Sequence, residues 1–170
     1  MISSQGQRIT SMIRIIILCC SILAASTSAR AQVKIFRGTS TYTSDVICNV
    51  EEGKVYKKNS PYTSDILCHV SGDRVCKGNS NYTSDVIYTV RDGKVYQGIS
   101  SYTSDIEFTI RDGRIYKGTS SYTSDILASI RDNRVYSKTS TYTSDIEYTI
   151  DGKLTIEEFV AVWYAVKYCY

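Results

Sequence analysis

The residues with the strongest claim to chemistry occur in six copies. Tyr-Thr-Ser-Asp begins at Tyr42, Tyr62, Tyr82, Tyr102, Tyr122 and Tyr142, with a spacing of twenty residues that never slips. Each copy sets a serine hydroxyl beside a carboxylate, at Asp45, Asp65, Asp85, Asp105, Asp125 and Asp145. A serine nucleophile needs a base held within hydrogen-bond reach, and no His or Lys stands at a fixed offset from these serines to serve as one. The single histidine, His69, occupies a position that other copies fill with Asn, Thr or Ser, which predicts a tolerated surface substitution. Identical residues six times over do not make the asymmetric constellation of a catalytic site, so no enzyme is expected.

Binding is the chemistry left to these residues. A carboxylate that follows Thr-Ser can accept backbone N–H bonds in an Asx-type turn. Stacked copies could instead hold a calcium ladder, as glycine- and aspartate-rich solenoids do, with Asp45, Asp65, Asp85, Asp105, Asp125 and Asp145 as ligands. One invariant acidic residue per unit favours the turn. Tyrosine is the second candidate, at fifteen copies against three Phe and one Trp. Tyr56, Tyr96, Tyr116 and Tyr136 recur in one row, which, if exposed, is a stacking platform for a glycan or a protein surface. The unit is similar in period to the 20-residue aromatic hairpins of choline-binding cell-wall modules, without their Trp-Tyr signature.

The C-terminal segment departs from the repeat. Thr155 followed by Glu158 is a capping box, and Ile156, Phe159, Val160, Trp163 and Val166 recur at helical spacing, predicting a helix over 156–167. Its expected role is to cap the open end of a repeat stack. The stretch Asp151-Gly152-Lys153-Leu154-Thr155-Ile156-Glu157-Glu158-Phe159 also resembles the second half of an EF-hand loop with its exiting helix. That resemblance implies calcium ligands at Asp151 and Glu158, with Glu147 and Thr149 at the loop's first and third ligand positions. The repeats themselves carry no family signature that we identify.

These side chains are positioned by a short, regular module. After each Asp comes an alternating run, Ile106-Glu107-Phe108-Thr109-Ile110 in the fourth unit, whose first and fifth positions are always Val or Ile. The pattern predicts a half-buried strand with β-branched residues inward and short polar residues outward. A tight turn follows, as at Asp92-Gly93, and then a second short strand such as Lys94-Val95-Tyr96. A fixed short period means that no unit buries its apolar face alone. The expected fold is all-β: a β-solenoid-like stack of six 20-residue units over 32–154, with the capping helix over 155–170. In-register Tyr and Thr/Ser ladders favour the stack, while a ladder of aspartates opposes it by about 1 kcal/mol per neighbour in water. The alternative is an antiparallel β-hairpin array, pairing Val90 with Val95 across a two-residue loop, or hairpins closed into a trefoil or three-bladed ring.

Residues 1–31 carry Arg8 and Arg14, an eleven-residue apolar run from Ile15 to Ala25, and Ala29-Arg30-Ala31 before Gln32. That order predicts a secretory signal peptide cleaved before Gln32, too short in its apolar run to span a bilayer at roughly 20 residues. The whole chain has a formal charge of +3, and loss of the three leader arginines leaves 17 basic against 17 acidic residues. A neutral chain lacks the electrostatic footprint of nucleic-acid binding. Export places Cys48, Cys68, Cys76 and Cys169 in a disulfide-permissive compartment. Three of them fill positions held elsewhere by Tyr, Phe or Ala, as small buried hydrophobes do, and a Cys48–Cys68 bridge is the pairing a stack would allow. Together these features predict an exported, noncatalytic structural or adhesive scaffold, secreted or at the cell envelope. Its partner would be a surface protein or glycan, self-association is open to it, and glycan or calcium binding is the alternative.

Overall fold

The computed structural model describes residues 32–170, so the predicted leader over 1–31 lies outside the described residues. Each unit contributes a six-residue strand, a two-residue turn and a four-residue strand. The long strands are β2 (Val46–Glu51), β4 (Ile66–Ser71), β6 (Val86–Arg91), β8 (Ile106–Arg111), β10 (Ile126–Arg131) and β12 (Ile146–Asp151). The short ones are β3 (Lys54–Lys57), β5 (Arg74–Lys77), β7 (Lys94–Gln97), β9 (Arg114–Lys117) and β11 (Arg134–Ser137). Asp92 and Gly93 both take positive φ, 49° and 73°, which gives the turn the twist of its flanking strands and pairs Val90 with Val95.

A chain that reverses every few residues lays its neighbours antiparallel, whereas a solenoid needs parallel coils, so the expected solenoid does not form. The antiparallel pairing of the hairpin array is present, but the array closes on itself. β1 (Val33–Arg37) pairs antiparallel with β12 and with β2, completing a closed barrel of twelve strands. β1 is the short strand of the sixth hairpin, delivered from the other end of the repeats. That is why the repeat breaks after Asp151-Gly152: the partner that β12 needs is already in place, and the chain is released to do something else.

It becomes α1 (Ile156–Tyr168), opened by the predicted capping box. Glu158 N–H donates to Thr155 Oγ1 at 3.2 Å, and Thr155 N–H donates to Glu158 Oε2 at 2.8 Å. Phe159, Val160, Ala161, Val162 and Trp163 are all buried, and five consecutive residues point to every side of a helix. They share one apolar cluster with inward residues from strands all around the barrel, so α1 occupies the lumen. Eight strands enclose little more than their own side chains and sixteen enclose an aqueous channel. Twelve leave room for a helix about 10–12 Å across. The predicted cap is therefore a plug, since a closed barrel has no open strand edge to cover.

A β-bulge in every long strand sorts the side chains. Ile126 pairs with Tyr116 and Ala128 with Ile115, so two residues oppose one, and the same shift recurs at all six places where a short strand meets the next long strand. The third and fifth positions then face the lumen, while the first faces outward, against the expectation that first and fifth share the inner face. The inward third position reads Cys48, Cys68, Tyr88, Phe108, Ala128 and Tyr148 around the barrel. Its small members let α1 approach one side: Cys68 Sγ lies 3.4 Å from the Ala161 carbonyl oxygen. All four cysteines of the described residues are free. Cys48 and Cys68 are separated by β3, about 10 Å at two strand spacings, and a disulfide requires Cα atoms within about 7 Å. The Cys48–Cys68 bridge that a stack would allow is excluded by the barrel, and the thiols are buried as small hydrophobes.

Candidate functional site

Between each short strand and the next long strand, the chain loops out over its own hairpin as a petal. The first petal residue takes φ between 50° and 58° at Gly38, Lys58, Gly78, Gly98, Gly118 and Lys138, turning the backbone away from the strand direction. Its carbonyl is then caught by the fourth residue of the long strand beneath. Thr89, Thr109 and Thr149 donate through Oγ1 to the carbonyls of Gly98, Gly118 and Gly38 at 2.7 Å. Ser129 and Asn49 do the same to Lys138 and Lys58, at 2.6 and 2.9 Å, and Asn49 also reaches the Ser60 carbonyl. His69 bonds the Gly78 carbonyl through Nδ1 at 2.9 Å and Asn81 Oδ1 through Nε2 at 3.1 Å. The fourth position faces outward as predicted, yet it is covered: Asn49, His69, Thr89 and Ser129 are buried, so His69 is a petal anchor and not a surface substitution.

The repeated aspartates lock the petals from within. A single 3-10 turn over Thr-Ser-Asp brings each Asp N–H to the carbonyl of the Tyr three residues earlier, at 2.9–3.1 Å. The Asp carboxylate accepts from the hydroxyl of a serine five residues upstream, Ser40 to Asp45 through Ser140 to Asp145, at 2.5–2.6 Å. The same serine oxygen accepts the N–H of Tyr42 and its five equivalents at 3.1–3.3 Å. The carboxylate thus takes a serine hydroxyl where the expected Asx-type turn would have it take backbone N–H, and the serine oxygen receives the backbone N–H in its place. At Asp105 the Ser100 and Ser104 hydroxyls hold the carboxyl below its ordinary pKa. Asp45, Asp65, Asp85, Asp105, Asp125 and Asp145 are distributed one per petal. Among the described residues no three His, Cys, Asp or Glu side chains gather where they could hold a metal ion.

Under each petal lies a second apolar layer. The tyrosines predicted as an exposed row belong to it: Tyr116 and Tyr136 are only 6% and 9% exposed, and Tyr56 and Tyr96 are half-buried. Each pairs with the outward first residue of the neighbouring long strand, as Tyr116 with Ile126 and Tyr136 with Ile146. Arg91, Arg111 and Arg131 stack over Tyr96, Tyr116 and Tyr136, with the guanidinium 4.6–5.9 Å from the ring centre. The row that does face solvent is the one the repeat motif itself carries. Tyr42, Tyr62, Tyr82, Tyr102, Tyr122 and Tyr142 are 68–76% exposed, with nearly identical backbone angles. The signal was present in the sequence: these tyrosines are flanked by Thr, Ser, Asn and Pro and not by the alternating apolar residues of a strand.

Asp151 ends β12 at an exposed position, and Glu158 is buried at the helix start, where its carboxylate closes the capping box. Of the other residues in the EF-hand-like register, Glu147 lies in β12 and accepts from Lys167 at 2.7 Å, and Thr149 is bonded to the Gly38 carbonyl. A family model described as a 6-fold beta flower protein matches residues 35–163. It is a repeat family, so the family likeness lies in the six units, and the EF-hand resemblance of the C-terminal segment is withdrawn. No curated protein and no solved structure matches the chain.

Proposed function

The chain belongs to the family of 6-fold beta flower proteins, and we propose that it is an exported, noncatalytic, multivalent adhesive module that binds glycan at the cell envelope or outside the cell. The observation that carries the proposal is the ring of six tyrosines, each held far into solvent by a petal whose serine and aspartate are occupied with one another. An aromatic face stacks on the apolar face of a sugar, and the Thr, Ser and Asn side chains beside each ring supply hydroxyl and amide partners. Fixed rings repeated at intervals of at least about 10 Å suit an extended polymer. A weak contact made six times gains through effective concentration, by as much as 10²–10⁴ over one contact. The leader predicted over 1–31 supports the extracellular placement. The symmetry supports a noncatalytic role, because each petal repeats its neighbour's polar groups in the same bonds.

Retention of the chain from residue 32 on insoluble polysaccharides tests the reading, compared with a Tyr82→Ser/Tyr102→Ser/Tyr122→Ser variant. Exposed rings can be removed without loss of folding, and retention is expected to fall more than the half of the rings removed would give if they acted singly. Equal retention of the variant, or passage of the unaltered protein through every polysaccharide while it adheres to protein-coated surfaces, would overturn glycan as the ligand.

A further inference from the structure

The lumen is not filled evenly. α1 packs chiefly against β2 to β6 and leaves a cavity of about 650 Å³ near its last turn, against β8 to β10. Phe108 and Trp163 form its aromatic floor, with ring centres 6.0 Å apart, and Leu127 contributes aliphatic wall. Its size falls within the roughly 300–1,000 Å³ of small-molecule sites.

The register sets a row of cations at one end of the barrel. Arg37, Lys57, Lys77 and Lys117 pair directly across from the inward-facing Tyr148, Cys48, Cys68 and Phe108. Directly opposed residues share a face, so these four cations ring the mouth from which the end of α1 emerges. Lys167 adds a fifth, bonded to Glu147 at 2.7 Å and lying 4.8 Å from the Trp163 ring centre. Glu107 lines the cavity and Glu147 holds Lys167, and the petal aspartates lead into the long strands at this same end. Of the charged side chains that line the cavity itself, two are cations, Lys117 and Lys167, and one is an anion, Glu107. Lys117 borders the cavity and has no ion-pair partner among the described residues.

We propose that this cavity binds a small amphiphile with an apolar or aromatic body and a single carboxylate head, the body lying on Phe108 and Trp163 and the head at Lys117. The site lies inside the barrel wall that the petals cover and shares Gly118 with one of them. Trp163 is the chain's one tryptophan, so its emission reports occupancy directly. Decanoate, titrated below its micelle concentration, is expected to shift Trp163 emission saturably with the far-ultraviolet circular dichroism unchanged. Decanol should bind more weakly, and decyltrimethylammonium should give no saturable shift. Lys117→Glu alters an exposed side chain, and it should raise the apparent Kd for decanoate on the order of tenfold. No saturable response to decanoate would overturn the proposal. So would responses that ignore the head group, or an affinity unmoved by Lys117→Glu.

Discussion

Cysteine shows best how one residue type takes its behaviour from its place. Burial pushes the Cys48 thiol up to about 12 and raises Cys68 well above its ordinary value, while Cys169 sits at the exposed end of α1. A thiol must ionise to attack an alkylating agent. Partial burial raises the Cys169 thiol too, but its exposure leads us to expect that, in the folded chain from residue 32 at pH 8, it reacts with a maleimide first. Cys48 and Cys68 should react only as fast as the barrel opens, which mass spectrometry of timed samples measures; prompt labelling of Cys48 would contradict the placement. The sign of the linkage follows. A folded pKa above the ordinary 9 means that the stability from burying Cys48 is complete below pH 9 and is lost as pH climbs from 9 towards 12. Burial of these thiols was legible, because Cys alternates with Tyr, Phe and Ala at one strand position. The covering of the short-strand tyrosines was not. Tyr116 and Tyr142 are chemically alike, and which one meets water depends on the petal that covers one and carries the other.

At the scale of the element, hairpin and helix could be read from local chemistry, and the bulge could not. Asp92-Gly93 and the Thr155/Glu158 box act within a few residues, so their sequence signals are complete. A bulge exists only relative to a partner strand, and it turns the first position outward, where it meets the petal rather than the core. The petal is the element that tests this account. Thr89 is fully buried, and its hydroxyl is the donor that the Gly98 carbonyl receives from the strand beneath. Thr89→Val keeps the shape and removes the donor, leaving a covered carbonyl unpaired, at a cost of about 1–3 kcal/mol. Urea unfolding followed by tyrosine fluorescence measures it. A loss near zero would mean that water serves the carbonyl and that the petal is not closed. Gly93→Ala should be more harmful than its size suggests, because an added Cβ would lie 2.6 Å from the Ile110 carbonyl oxygen at a position that already needs φ of +73°. A substitution so placed destabilises by more than about 1 kcal/mol, which the same unfolding curves would show.

For the molecule as a whole, the number six is a structural quantity rather than a count of interchangeable parts. In an open array each unit touches only its neighbours, so removing one subtracts a share of the stability and leaves the rest folded. Here the first strand closes on the last, and the ring so formed must be wide enough to enclose α1. Barrel diameter grows roughly linearly with strand number, so ten strands would enclose about five-sixths of the width. The period was plain in the sequence, but closure was not, because β1 has the Lys-Ile-Phe-Arg pattern of a short strand and only its pairing with β12 shows which hairpin it completes. Deleting residues 98–117 removes one full unit and joins Gln97 to Gly118, so every local turn and strand signal is preserved. The shortened chain is nevertheless expected to lose cooperative unfolding, since Phe159, Val162 and Trp163 cannot all be buried in the narrower ring. Guanidinium titration followed by circular dichroism decides the matter. A broad, shallow transition supports closure around the helix, and a sharp one with proportionally reduced stability would show that the units are additive after all.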